Sequence, residues 1–87
     1  MDNPFVLSEH ARLKMEKRDV PYEWIEQTIQ NPQQIVPELQ PLVAYQSQFN
    51  RDDKTYLLRL IVNEDADPKR IVTLYLTSKI HKYWRQS

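Results

Sequence analysis

The chain contains no glycine among its 87 residues, which limits the ways in which its backbone can turn. A residue with a Cβ is strained at φ > 0, and after glycine it is Asn and Asp that adopt this conformation most readily. We therefore expect helix ends and tight turns at Asn or Asp residues. Six positions qualify: Asp19, Asn31, Asn50, Asp52, Asp53 and Asp65. The same composition excludes the glycine-rich loops that hold nucleotide phosphates.

The segment 8–18 is predicted to be the first helix. Ser8 can accept a backbone N–H at the start of the helix, and Glu9 places a negative charge near the positive end of the helix dipole. At about 100° per residue, His10, Lys14 and Arg18 fall on one stripe of this helix. The helix therefore presents a row of basic side chains beside its apolar face.

A second helix is predicted from Pro21 to about Gln30, where Asn31-Pro32 ends it. Its predicted core face has three members at helical spacing: Tyr22, Ile25 and Ile29. Trp24 lies off that face, and we interpret it as a partly covered surface residue or a partner contact.

From residue 33 the hydrophobic pattern changes to the two-residue alternation of strands. Four strands are predicted, at residues 34–36, 42–49, 55–63 and 70–77. The third is almost continuously apolar, which is typical of a central strand, and Pro37 favours an edge position for the first. The segment after the last strand either forms a short C-terminal helix capped by Ser78 or stays extended. The predicted fold is α+β, with two N-terminal helices followed by a four-stranded antiparallel sheet in one domain, residues 1–87.

The formal net charge is zero, yet the charges are unevenly distributed. Residues 10–18 contain four Lys or Arg and one carboxylate, and residues 78–85 contain three Lys or Arg, His81 and no carboxylate. If the two segments meet, they form a basic patch suited to an anionic ligand; otherwise they are two solvated faces. The chain has no cysteine, which excludes disulfides and thiolate chemistry. Without a long apolar run or a signal-like N-terminus, we expect a cytoplasmic protein with no membrane partner.

The pattern His10-Ala11-x-x-Lys14-Met15-x-x-Arg18, with Val20 after it and Asn31-Pro32 later, resembles a family of small prokaryotic domains of unknown function. The typical pattern of that family is His-Ala-x-x-Arg-Met-x-x-Arg-Gly-Ile, and the chain looks like a cyanobacterial branch of it. The family is similar to the RelE/ParE toxins, which have an RNase-like fold of two helices and four strands. Three positions depart from the pattern: Lys14 replaces Arg, Asp19 replaces Gly, and Pro21 replaces a polar capping residue. Lys14 keeps the charge but lacks the forked guanidinium that grips phosphate.

For a toxin of this kind, RNA cleavage without a metal needs a base for the 2′-hydroxyl, cations for the phosphorane and an acid for the leaving oxygen. Six residues are candidates for these catalytic roles: His10 as the base, Lys14, Arg18 and Arg59 as phosphate ligands, and Tyr75 or His81 as the acid. Arg59 stands out because it interrupts an apolar strand, where a cation needs a partner or an opening to solvent. No cofactor and no metal are expected.

Each candidate also has a structural interpretation. His10 can tie its helix to the sheet through a hydrogen bond, and Arg18 can cap the carbonyls at the end of its own helix. Arg59 can be the ion-pair partner of a carboxylate on the second helix. Tyr75 and His81 are then ordinary sheet and surface residues.

Two function hypotheses follow. The first is a toxin-like ribonuclease or translation inhibitor that acts on RNA or the ribosome and is restrained by an antitoxin protein. The second is a non-catalytic module of the same fold that binds a protein through the sheet edge or through Trp24, Tyr83 and Trp84. Zero net charge, Lys14 in place of Arg and the lack of an assured acid favour the second hypothesis, and the retained His10 and Arg18 favour the first. An edge strand near Ile35 could pair two copies, and the oligomeric state is left open.

Overall fold

The structure, a computed structural model, describes residues 4–86, which form a five-stranded sheet and three helices. In chain order the elements are β1 (Phe5–Leu7), α1 (Glu9–Lys17), α2 (Tyr22–Gln30), β2 (Gln34–Pro37), β3 (Leu42–Arg51), β4 (Lys54–Asn63), β5 (Lys69–Thr77) and α3 (Ile80–Tyr83). The strand order across the sheet is β1-β5-β4-β3-β2. β4 is therefore central, as its apolar sequence predicts. No helix in the described part of the chain is long and apolar enough to cross a bilayer.

The predicted four-stranded antiparallel sheet is wrong, because a fifth strand precedes the helices. β1 pairs in parallel with β5, with Phe5 opposite Lys69 and Leu7 opposite Ile71, which makes the sheet mixed. A strand of three residues is too short to show a two-residue alternation, and its partner is the last strand of the chain. The other four strands are antiparallel neighbours in chain order.

Ser8 connects the start of α1 to the sheet. Its Oγ accepts the Ala11 N–H at 3.0 Å, as predicted for a helix cap, and donates to the Val72 carbonyl on β5 at 2.6 Å. The Ser8 N–H donates to the Ile71 carbonyl at 2.9 Å. Ser8 is buried, so these bonds satisfy polar groups that are shielded from water. The start of α1 is thereby fixed against the edge of β5.

Asp19 ends α1 at the position where glycine is the usual residue. Its φ is 55°. Its N–H donates to the Glu16 carbonyl at 3.2 Å, and the following N–H, of Val20, donates to the Met15 carbonyl at 2.9 Å. These two bonds form a Schellman motif, which satisfies carbonyls at the end of a helix. The predicted positive φ at Asp19 is confirmed.

The β3–β4 hairpin turns at Asp52 and Asp53, whose φ angles are 53° and 64°. Two consecutive positive φ angles in a two-residue hairpin are typical of a type I′ turn, which matches the twist of the strands. A positive φ is confirmed at these positions and is absent from the other three candidates, although Asn31 ends α2 and Asp65 lies in a turn, as predicted. Neither Asn50 nor Asp65 has a positive φ. Asn31 has a φ of −139°, because Pro32 pushes the residue before it into an extended conformation.

Both long helices pack on one face of the sheet. Ile25 and Ile29 of α2 are buried in a cluster that includes alternate residues of β4. Tyr22, predicted to share this core face, is instead 49% exposed and stacks on Phe5 with ring centroids 6.0 Å apart. Its partner belongs to β1, the strand that the sequence did not predict, so this contact could not be foreseen.

Asp19→Gly is expected to stabilise the fold by about 0.5–1 kcal/mol, because glycine adopts this φ without the strain of a Cβ. Asp19→Val should destabilise it by more than about 1 kcal/mol, since a β-branched residue is most strained there. Equilibrium unfolding in urea measures both effects. Asp65→Gly is the matched control: Asp65 has no positive φ, so the added freedom of the unfolded chain should lower stability. Equal effects of the two glycine substitutions would contradict this account.

Candidate functional site

The face of the sheet opposite α1 and α2 carries a row of polar side chains across four strands. Gln34 of β2 lies opposite Gln46 of β3, Gln46 lies opposite Arg59 of β4, and Arg59 lies opposite Tyr75 of β5. Because side chains alternate between the two faces of a strand, all four point away from the helices. Gln46 is fully buried and Arg59 is 8% exposed, whereas Tyr75 is 44% exposed. We call these four residues the polar row.

Gln46 of the polar row and Glu38, which follows β2, satisfy the buried guanidinium of Arg59. Its Nε donates to Oε1 of Gln46 at 2.6 Å, and its Nη2 donates to Oε1 of Glu38 at 2.8 Å. The Gln46 amide donates in turn to Oε1 of Gln34 at 3.2 Å. An unpaired buried charge is costly, so these bonds fix the position of Arg59. Arg59 is therefore an ion-pair residue, although its partner follows β2 and does not belong to α2.

The C-terminal segment, residues 78–86, crosses the sheet above the polar row. The Tyr83 ring lies over Arg59, with 4.2 Å between the guanidinium carbon and the ring centroid. The Tyr83 carbonyl accepts a hydrogen bond from Nε2 of Gln46 at 3.3 Å. The segment is thus held to the sheet through the side chains that also satisfy Arg59.

Two further contacts hold the C-terminal segment at its ends. The Lys79 N–H donates to Oγ1 of Thr77 at 3.0 Å, and the amide group of Gln34 exchanges two hydrogen bonds with the backbone of Arg85. Between these contacts α3 is a single helical turn that begins after Lys79 without a side-chain cap. The predicted Ser78 cap is therefore wrong.

The C-terminal segment and α1 form two walls of a groove of about 330 Å³ at the end of β5. Among the described strands none pairs with the outer edge of β5 here, because β1 pairs only as far as Ile71. We call this site the basic groove. Eight residues line it: Lys14, Arg18, Tyr75, Leu76, Thr77, Lys79, Lys82 and Tyr83.

Four of the residues that line the basic groove are cations, and none is a carboxylate. None of the four forms an ion pair with a residue in the range 4–86, where the ion pairs belong to Arg12 and Arg59. Their charges are therefore not neutralised locally and add to a positive potential in a concave site. Lys14 lies on α1 and Arg18 at its C-cap, and the other two cations lie on the C-terminal segment, so the two basic segments do meet.

Each tyrosine of the basic groove faces a cation. Nζ of Lys14 lies 4.9 Å from the centroid of the Tyr75 ring, and Nζ of Lys82 lies 5.4 Å from that of Tyr83. Cation–π contacts that solvent reaches contribute only about 0.5–1 kcal/mol. An anionic ligand can therefore draw either ammonium group away from its ring at little cost.

The structure brings three of the six predicted site residues together in the basic groove: Lys14, Arg18 and Tyr75. Arg59 is buried against Tyr83 and does not line the groove. His10 and His81 are both exposed and also lie outside its lining. The groove therefore offers an anion its cations and the phenol of Tyr75, but neither histidine lines it.

Three charged or aromatic residues of the groove were not among the six catalytic candidates: Lys79, Lys82 and Tyr83. Their composition did indicate a basic surface with aromatic side chains. Their position depends on contacts such as the one between Gln34 and Arg85, which are 51 residues apart. The sequence carries one signal for this position, the pair of glutamines Gln34 and Gln46, because each lies on a strand at a position that can share a face with Arg59.

The opposite end of β5 is acidic. Glu64, Asp65 and Asp67 line a cavity of about 270 Å³ there together with Lys69. The buried Tyr45 hydroxyl donates to Glu64 and accepts from Nζ of Lys69 at 2.9 Å. Burial raises the pKa of Tyr45, and its hydrogen bond to Glu64 raises it further. Within residues 4–86 no three histidine or carboxylate side chains are close enough to hold a metal ion.

Glu38→Gln is expected to destabilise the fold by about 1–3 kcal/mol, because the Arg59 side chain, only 9% exposed, loses its counter-charge. Hydrogen exchange of the amides in the C-terminal segment should accelerate, since Arg59 supports Tyr83. Glu16→Gln is the matched control, because it removes an exposed ion pair with Arg12 and should cost less than about 0.5 kcal/mol. Equal, small losses of stability in the two variants would show that the buried pair does not hold the segment.

Residues 7–76 match a known protein family, described as Domain of unknown function (DUF4258). The match includes Lys14, Arg18 and Tyr75, and it ends before the C-terminal wall of the basic groove. Comparison with curated proteins and with solved structures gives no match. Because the matched region spans most of its length, the chain belongs to the DUF4258 family.

Proposed function

We propose that the chain binds RNA, with the phosphate backbone held in the basic groove. The observation that carries this proposal is the grouping of four cations without a carboxylate in one groove of a chain with zero net charge. Cations that contact the phosphates of a polyanion release its counterions, which drives binding. The two tyrosines beside the cations add stacking surfaces, which are common in grooves that bind single-stranded nucleic acids.

The two walls of the basic groove each supply a pair of cations. Lys14 of α1 and Arg18 at the C-cap of that helix are four residues apart, and on the C-terminal segment Lys79 and Lys82 are three residues apart. A strand of RNA that follows the groove would meet positive charge on both sides. The guanidinium of Arg18 can give two parallel N–H bonds to one phosphate, whereas the lysines act as point charges.

The resemblance to RelE/ParE toxins suggests a specific form of this proposal. In that form the RNA is a messenger on the ribosome, and its binding stops translation. An antitoxin protein that covers the basic groove would then restrain the activity. The proposed partners are therefore RNA or the ribosome, and an antitoxin.

The basic groove supplies only part of what RNA cleavage without a metal needs. Its cations can stabilise the charge of a phosphorane, and the phenol of Tyr75 can give up a proton. The candidate base His10 and the alternative acid His81 lie outside the lining. Binding is therefore the function that the geometry supports best, and endoribonuclease activity is a separate outcome of the assay below.

The alternative, a module that binds a protein through exposed aromatic side chains, has less support. Trp24 stacks on Phe49 with ring centroids 4.6 Å apart, and the guanidinium of Arg51 lies 4.9 Å from its ring. Tyr83 lies against the polar row. On the edge strand β2, Ile35 is 51% exposed. The strand has only four residues and ends in proline, and both features disfavour its pairing with a strand of another chain.

The double variant Lys14→Ala, Lys82→Ala is expected to bind a single-stranded oligoribonucleotide more weakly than wild type. If each lysine neutralises one phosphate, the slope of log K against log salt should fall by about 1.4, which is about 0.7 for each phosphate of a single strand. Fluorescence anisotropy over a series of salt concentrations measures both quantities. The matched control is Lys17→Ala, Lys54→Ala, which removes the same charge outside the groove and should retain the slope.

Equal reductions of affinity in the two double variants would show that binding is diffuse and that the basic groove is not the site. Absence of binding by wild type at micromolar concentration would overturn the RNA proposal. A cell-free translation extract tests the toxin-like form, because wild type should stop protein synthesis and the groove variant should not. Cut messages in that extract would establish cleavage in addition to binding.

A further inference from the structure

Tyr75 is the exposed end of an otherwise covered row. Its neighbours in the polar row, Arg59 and Gln46, are 8% and 0% exposed, whereas Tyr75 is 44% exposed. On its other side no described strand pairs with β5, since β1 ends its pairing at Ile71. A large aromatic side chain is thus left accessible at the floor of a positively charged groove.

The two tyrosines of the basic groove differ in the cations that lie over their rings. Tyr83 packs against the buried guanidinium of Arg59 at 4.2 Å, and its carbonyl is hydrogen-bonded to Gln46. It is a fixed part of the wall. The cation at the Tyr75 ring is instead the Lys14 ammonium at 4.9 Å, a point charge on a flexible stem. A ligand can therefore displace Lys14 from Tyr75 more readily than it can displace the buried Arg59 from Tyr83.

Building on the proposed RNA binding, we propose that Tyr75 stacks on an unpaired base while Lys14 moves to the phosphate beside it, so that the basic groove selects single-stranded RNA over duplex RNA. Stacking on an aromatic ring requires an accessible base face. In an A-form duplex the bases are stacked on one another, and the major groove is too deep and narrow for side chains to read. The groove volume of about 330 Å³ is at the small end of ligand pockets, about 300–1,000 Å³, which suits a single nucleotide.

The test compares three RNA probes of equal length, about ten nucleotides, with the whole chain. The first is a mixed-sequence single strand, the second is the same strand with abasic ribose at every position, and the third is a duplex. The abasic strand keeps every phosphate, so its affinity reports the electrostatic contribution alone. Wild type should bind the intact strand roughly 5- to 150-fold more tightly than the abasic strand, in line with about 1–3 kcal/mol per stacked base.

Substitutions at Tyr75 separate stacking from charge and from packing. Tyr75→Leu should lose the preference for the intact strand and still bind the abasic strand as wild type does. Tyr75→Phe keeps the ring without the hydroxyl and should keep most of the preference, which separates stacking from hydrogen bonding by the hydroxyl. Tyr22→Leu is the matched control, because Tyr22 is 49% exposed but lies away from the groove. Thermal unfolding of each variant shows whether the fold is retained.

The outcomes distinguish this inference from the proposed function. If wild type binds intact and abasic strands equally, or binds the duplex as tightly as the single strand, base stacking is overturned and phosphate binding stands. If the Tyr75→Leu variant is folded but binds the intact and the abasic strand more weakly by the same factor, Tyr75 maintains the shape of the groove and does not stack on a base. If wild type binds none of the three probes, the proposed function itself fails.

Discussion

The buried guanidinium of Arg59 is the constraint on which the candidate site depends. A charge placed at the centre of a sheet must have partners, and here Gln46 and Glu38 supply them on one side while the Tyr83 ring covers the other. Gln46 also binds the Tyr83 carbonyl. The path of the C-terminal segment over the sheet therefore follows from the need to satisfy one cation. The wall of the basic groove that carries Lys79 and Lys82 exists because of that path.

Zero net charge conceals a marked separation of charge along β5. The groove at the end of the strand gathers four cations, and the turn that precedes the strand gathers three carboxylates around a cavity. A chain with this arrangement can attract a polyanion to one place without being basic as a whole. Composition alone therefore understates the potential of such a domain to attract a polyanion, because the attraction depends on where the cations lie.

Local sequence was sufficient for the features that depend on neighbouring residues. The Ser8 cap, the end of α2 at Gln30, the central position of β4 and the positive φ of Asp19 all follow from a few adjacent side chains. The parallel β1–β5 pair and the course of the C-terminal segment could not be foreseen, because both depend on contacts between distant parts of the chain. The candidate site reflects the same division. Its α1 wall follows from helical periodicity, whereas its C-terminal wall depends on the side-chain amides of two glutamines.

The two hydrogen bonds of the Ser8 hydroxyl hold one end of α1 to the sheet, so a small change in helix angle at Ser8 would displace the other end of the helix. The Ser8 hydroxyl fixes the first turn of α1 to β5. Two of the four groove cations, Lys14 and Arg18, lie six and ten residues further along the chain. At 1.5 Å per residue, Lys14 is about 9 Å from Ser8 along the helix axis, so a tilt of the helix by about 10° at Ser8 would move the Lys14 backbone by about 1.5 Å. The position of the α1 wall therefore depends on a buried hydroxyl remote from the groove, together with the packing of Ala11 and Met15 on the sheet.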